Sequence, residues 1–236
     1  MSDAPMAPVS PMSPATPIVV LHAPGDARAG APWREALAAA GWNGPVIAPD
    51  LPGHGSAPSP PGGSYELGDA LLSVIPEIAA LADDAPAPIV VGCGTNGWCA
   101  QILGLGGRAS AVVLVDGLNG PWRTPRQAIE AGVEWLRRLA DDPDAIAPPP
   151  PAGLDPRLRH PMGGLGNRAY AFRCAAAMPV PALIVETGGS LVPDDDVDAL
   201  AVAHPAGAGV VRLETAEADE VVRHVVESVL RTVART

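Results

Sequence analysis

The sequence predicts an α/β domain built on a mostly parallel central sheet with helices on both faces. Three observations carry this. Short, near-continuous apolar runs recur along the chain, as strands buried on both faces require. Segments with apolar residues at three-to-four spacing alternate with them, the rhythm of strand–helix–strand units. The chain has 236 residues and is 47% hydrophobic, enough for one sizeable core.

In order, residues 18–22 (IVVLH) form an apolar run bounded by turn residues, a buried strand. Residues 32–40 (PWREALAAA) have helical spacing, with Pro32 at the front and Gly41 behind as start and stop signals. Residues 46–48 make a short strand, followed by the loop PDLPGHGSAPSPPGG. Residues 65–82 read as a helix that Pro76 should kink or shift. A strand over 89–91 leads through a glycine-rich turn into a helix over 97–105. Residues 111–115 (AVVLV) form the next strand, ending at Asp116-Gly117.

The alternation then breaks. Thr124 caps a helix with Pro125 at its first position, running to about Leu139 and carrying Ile129, Val133, Trp135 and Leu136. The stretch from Asp141 to Gly166 is too rich in Pro and Gly for regular structure. Residues 168–177 are helical again. The block 118–178 is therefore expected to be a cap inserted between core segments 17–117 and 179–236. The sheet resumes at 183–186, followed by a helix at 197–203, a last strand at 210–213 and an amphipathic helix at 217–233. No internal repeat is present. Residues 1–16, rich in Pro, Ser and Ala, are expected to be a flexible tail without the features of a secretory signal.

Composition narrows the function. The net charge is −11 and every basic residue is arginine. Such a chain repels phosphate backbones and anionic lipid, so neither nucleic acid nor membrane is an expected partner. Lysine-free, Ala- and Arg-rich composition suggests a GC-rich, bacterial genome. Three widely spaced cysteines, Cys93, Cys99 and Cys174, do not make a disulfide framework and suit a reducing cytoplasm. No CxxC or HExxH pair points to zinc, GCGTNG is not a dinucleotide fingerprint, and no P-loop lysine exists, so no cofactor is expected. A homodimer is the assembly considered.

Several strings carry a family resemblance. Residues 46–57, VIAPDLPGHGSA, follow a strand-and-loop segment of the form APDLPGHGxS. Trp33, the trio Tyr65, Leu67 and Asp69, the string VVLVD ending at Asp116, and Leu191-Val192-Pro193 fit the same pattern. From Pro17 onward the chain resembles the α/β-hydrolase superfamily, in particular its compact members with a short helical cap. The resemblance implies an open sheet with a site at the carboxyl ends of its strands. It also implies a nucleophile, a base, an acid and an oxyanion hole.

Each implied position departs from that pattern. The nucleophile elbow corresponds to PIVVGCGTNGWCA, residues 88–100, which contains no serine. One register puts Gly94 at the tip. A shift of one residue puts Thr95 there, within a small-x-Thr-x-small pattern. Thr95 and Cys93 are the candidate nucleophiles, although Cys93 and Cys99 also suit small buried hydrophobes. The acid position before Val192-Pro193 falls on Gly189 or Ser190, with Glu186 or Asp116 as substitutes. The base position lies in LETAEADEVV, which has no histidine, leaving His224, His204 and His160 as distant alternatives. The oxyanion segment reads His22-Ala23-Pro24-Gly25. Its third residue, Pro24, has no N–H, and a one-residue gap would leave Ala23 as donor.

These departures predict that the Ser-His-Asp route is lost. The leading expectation is a cofactor-free enzyme acting on a small organic molecule by cyclisation, isomerisation or elimination. Its pocket would draw on His22, Ala23, Pro24, Gly94, Thr95, Asn96 and Asp116, with Trp98 and Trp122 as walls. The alternatives are a noncatalytic binding or partner protein, and a residual hydrolase using Thr95 or Cys93.

Overall fold

A computed structural model of the chain describes residues 16–26, 28–60, 67–81, 85–117, 168–188, 190 and 194–234, and the isolated helical residues 126, 130, 137 and 141. The elements run β1 (Ile18–Leu21), α1 (Ala31–Ala39), β2 (Val46–Ile47), α2 (Leu67–Ala79) and β3 (Ile89–Cys93). A 3₁₀ turn over Gly94–Asn96 leads into α3 (Gly97–Leu105), then β4 (Ala111–Val115). The later elements are α4 (Arg168–Ala177), β5 (Ala182–Glu186), α5 (Asp194–Ala203), β6 (Ala208–Arg212) and α6 (Ala218–Ala234).

The sheet has six strands in the order β2-β1-β3-β4-β5-β6, and every pairing is parallel. Alternation along each strand sorts side chains between two cores. Val19, Leu21, Val90, Val112, Leu114 and Ile184 face α2, α3, α4 and α5. Ile18, Val20, Val91, Cys93, Val113, Val115 and Val185 face α1 and α6. Parallel strands buried on both sides explain why the sequence shows continuous rather than alternating apolar runs.

Strand order reverses between β1 and β3. Chain growth moves outward to β2 on one side and to β4, β5 and β6 on the other. Loops diverge at such a point and leave a crevice at the carboxyl ends of the strands. The glycine-rich turn after β3 sits there. Two close backbone approaches hold it. A Cβ on Gly92 would stand 2.5 Å from the Asn96 carbonyl oxygen and 2.9 Å from Ala100 Cβ. One on Gly97 would stand 2.6 Å from Gly117 Cα. Glycine at both places lets α3 leave β3 sharply and rest against the end of β4.

Element boundaries fall within a few residues of the expected ones, and α2 continues through Pro76 to end one turn later. Helix α4, expected at the end of the cap, lies against α3 with Ala171, Ala175 and Met178 buried in the first core. The Gln101 amide donates to the Ala171 carbonyl at 3.3 Å. Thr16, expected in the tail, is buried. The rest of the expected tail, residues 65–66, the loop 142–166 and most of the cap lie outside the described residues. Within the helix expected over 124–139, Arg126 and Glu130 are helical and form an i,i+4 ion pair at 2.7 Å. No helix among the described residues is long and apolar enough to cross a membrane.

Candidate functional site

The turn after β3 has one residue in the left-handed region, Gly94, at φ +57°. Cys93 before it is extended at φ −104°, ψ 134°, and Asn96 after it is right-handed at φ −72°. Gly94 is thus the tip of the elbow, and Thr95 lies one residue past it. A Cβ on Gly94 would point toward Pro24, 3.7 Å from its Cδ. The residue facing the tip therefore has no N–H to offer a developing oxyanion. The next N–H, that of Gly25, is donated to His54 Nε2 at 2.8 Å.

Two histidines fix this loop. His22 is fully buried; its Nδ1–H donates to the Ala23 carbonyl at 3.0 Å, and its Nε2 accepts from the Leu51 N–H at 3.1 Å. His54 repeats the arrangement, Nδ1–H to the Pro52 carbonyl at 3.0 Å and Nε2 accepting from Gly25. The rings meet edge to face with centroids 4.8 Å apart. Burial, reinforced by His54, lowers the His22 pKa to about 4 and outweighs the Ala23 hydrogen bond. His22 is a neutral structural residue. Asn96 is structural as well: it is fully buried, and its amide donates to the His22 carbonyl at 2.7 Å, tying α3 to β1.

Around the tip is a cavity of about 190 Å³ lined by Ala23, Asp26, Trp33, Cys93, Gly94, Val115, Asp116, Thr187, Ala216, Ala218, Val221 and Val222. Asp116 ends β4 with φ +49°, a backbone conformation that Asp and Asn adopt more readily than most residues. Its carboxylate accepts from the Thr187 N–H at 2.9 Å and the Thr187 hydroxyl at 2.7 Å. Thr187 directly follows β5. The segment expected to hold the base passes the cavity and presents Ala216 and Ala218.

The other candidates fall elsewhere. Cys93 lines the cavity floor at 6% exposure, and burial with the charges of Asp116 and Asp26 pushes its thiol far above the ordinary range. Such a thiol is not a nucleophile near neutral pH. Cys99 is fully buried in the first core, which pushes its thiol up to about 12. The Thr95 hydroxyl is buried without a hydrogen-bond partner among the described residues, and Thr95 is not part of the cavity lining. Trp98 packs on the first core. Glu186 is committed to Arg212, whose Nε donates to it at 3.1 Å, and Ser190 lies 3.5 Å from the same carboxylate. His204 precedes the edge strand β6, at the amino end of the parallel strands and not the carboxyl end that carries the elbow, and His224 lies on α6 beside Glu227. Trp122, His160, Gly189 and residues 191–193 lie outside the described residues. Among the described residues no group of three or more His, Cys, Asp or Glu could hold a metal ion.

Three polar or aromatic lining residues escaped the sequence reading as site groups: Asp26, Trp33 and Thr187. Trp33 was visible within its helix, and Thr187 could have been flagged by its place one residue past a parallel strand. Asp26 gave no signal.

The tip geometry predicts a modest cost for side chains there. Gly94→Ala meets only an ordinary contact with Pro24 but a left-handed φ, so it should destabilise by about 1–2 kcal/mol. Chemical denaturation measures this; no loss would mean that the turn relaxes to a negative φ.

The profile of the alpha/beta hydrolase family matches residues 18–236. No curated protein matches the chain. Solved structures similar to it include a thioesterase domain from the curacin biosynthetic pathway, at 17% identity and TM-score 0.67, covering 95% of this chain and 93% of that one. An enol-lactonase from Burkholderia xenovorans is similar at 18% identity and TM-score 0.68, with 93% and 92% covered. A thermophilic esterase from Thermogutta terrifontis is similar at 17% identity and TM-score 0.68, with 92% and 90% covered. At these identities the likeness is one of fold.

Proposed function

This chain belongs to the alpha/beta hydrolase family, and from that premise we propose that it is a cofactor-free enzyme that transforms a small organic molecule at the elbow without forming an acyl-enzyme. The observation that carries the reading is Gly94 at the tip, facing Pro24, with Ala216 and Ala218 across the cavity. Among the described residues the tip carries no side chain, the residue facing it has no N–H, and no imidazole lines the cavity, while the turn and the cavity remain.

What remains supports proton transfer and positioning. Asp116 is the carboxylate held in place, its two oxygens anchored by Thr187. It can take a proton from an acidic C–H or hydroxyl and return it to another atom of the same molecule, giving an isomer, or to a departing group, giving an elimination. Holding the reacting atoms in one conformer supplies several kcal/mol of the barrier without a covalent intermediate. One observation favours a second reading, a noncatalytic binding protein: no imidazole lines the cavity among the described residues.

Two measurements test this. With p-nitrophenyl acetate and butyrate the protein should show no turnover above buffer; turnover that disappears in Thr95→Ala or Cys93→Ala would restore a residual hydrolase. In small-molecule extracts followed by mass spectrometry, the wild type should convert a compound into an isomer or a lower-mass product, and Asp116→Asn should not. Depletion of a compound without product would establish the binding reading instead.

A further inference from the structure

We infer that the elbow cavity selects a small organic cation, an ammonium head carried on an apolar body. This deepens the proposed function and rests on its placing the ligand at the elbow. The cavity carries two carboxylates, Asp26 and Asp116, and no cationic side chain among its described lining residues. Both charges reach the same floor, since both push the Cys93 thiol upward. That thiol lines the cavity and is 6% exposed.

Of the nearby arginines only Arg28 reaches a cavity carboxylate: it pairs with Asp219 and, at 3.9 Å, with Asp26, and lines the neighbouring groove between α1 and α6. Arg34 donates to the Ala48 carbonyl, and Arg212 joins Glu186 and Asp198. Asp116 has no cationic partner among the described residues; its two donors both belong to neutral Thr187. An anionic group entering here would meet two like charges in a partly desolvated space. An ammonium would supply the counter-charge that Asp116 lacks, and hydrogen-bond donors.

The rest of the lining suits the body of such a ligand. Trp33 adds an aromatic wall of the kind that attracts cations, and Val115, Val221 and Val222 add apolar surface. A volume of about 190 Å³ takes a single ring with a short polar arm.

Benzylamine, benzyl alcohol and benzoate share a ring and differ in charge, so they serve as probes in calorimetric titration of the full chain near neutral pH. Benzylamine should bind at least about tenfold more tightly than benzyl alcohol, and benzoate should not bind. Asp116→Asn and Asp26→Asn should each reduce the benzylamine advantage, and together abolish it. Asn keeps an acceptor for Thr187 or Arg28 and tolerates the left-handed φ at 116, and Asp26→Asn alone carries the test should Asp116→Asn fail to fold. Ala216→Leu, which grows a side chain at the exposed rim, should block benzylamine and so place it in the cavity. The inference falls if benzylamine does not bind, if benzoate binds as well, or if the Asp→Asn variants leave the preference unchanged. Amine preference without product formation in extracts overturns the enzyme reading alone. Turnover of a neutral compound without amine preference overturns this inference alone.

Discussion

Between pH 6.5 and about pH 4 the fold should lose about 3 kcal/mol of stability for each of two buried histidines, His22 and His204. Both are held neutral. Burial lowers each pKa from 6.5 to about 4. The unfolded chain therefore binds more protons than the folded chain throughout this window. Their contribution is fully present above pH 6.5 and is lost as pH falls through the folded values. Two such losses are comparable with the whole stability of an ordinary domain, so the unfolding transition should lie inside the window. Glu186 works in the opposite sense, since burial raises its pKa and its protonated form suits the fold.

The two histidines differ in what a proton breaks. Protonated His22 would turn Nε2 into a donor against the Leu51 N–H, releasing the loop that carries Pro24 over Gly94. His204 has no partner at either ring nitrogen among the described residues and lies at 4% exposure, so burial alone decides its state. His204→Leu should keep neutral-pH stability at or above wild type, because it removes a buried polar ring of similar bulk. It should also flatten the dependence of unfolding free energy on pH by about 1.4 kcal/mol per pH unit. Urea denaturation across the range reads both. A slope equal to wild type would show that His204 titrates as it does in the unfolded chain.

The same physics sets how much was legible in the sequence. Strands such as VVLV between turns and helices with start and stop signals declare themselves locally, and a mostly parallel sheet follows from their alternation; in the structure every pairing is parallel. Asp116 was legible as a candidate because a strand end in such a sheet must face the site. The choice between Gly94 and Thr95 was not, because spacing permits both registers and only a left-handed φ separates them. Cys93 and Thr95 looked like nucleophiles because a sequence shows a residue type and not its solvation. Burial removes the thiol from consideration, and Thr95 lies off the cavity. Asp26 and Thr187 come from loops more than 150 residues apart, and no short-range pattern records that two loops converge.

Gly97→Ala should be the more damaging glycine substitution, at about 3 kcal/mol or more. Its Cβ would meet the Gly117 carbonyl oxygen at 2.5 Å, the Gly117 Cα at 2.6 Å and its carbonyl carbon at 2.9 Å. These are backbone atoms at the end of β4, one residue past Asp116, and no rotamer change can clear them. Relief requires α3 to move away from the sheet, which would disturb β3, the elbow and Asp116 together. Gly94→Ala, by contrast, strains one dihedral and displaces nothing. A denaturation midpoint for Gly97→Ala above that of Gly94→Ala would show that α3 does not rest on β4 this closely. The expected order separates two roles within one turn. Gly97 and Gly92 hold the strand–turn–helix geometry, whereas Gly94 occupies the position that would carry chemistry. A chain that keeps the costly packing glycines while leaving the tip bare retains the elbow as the floor of a pocket.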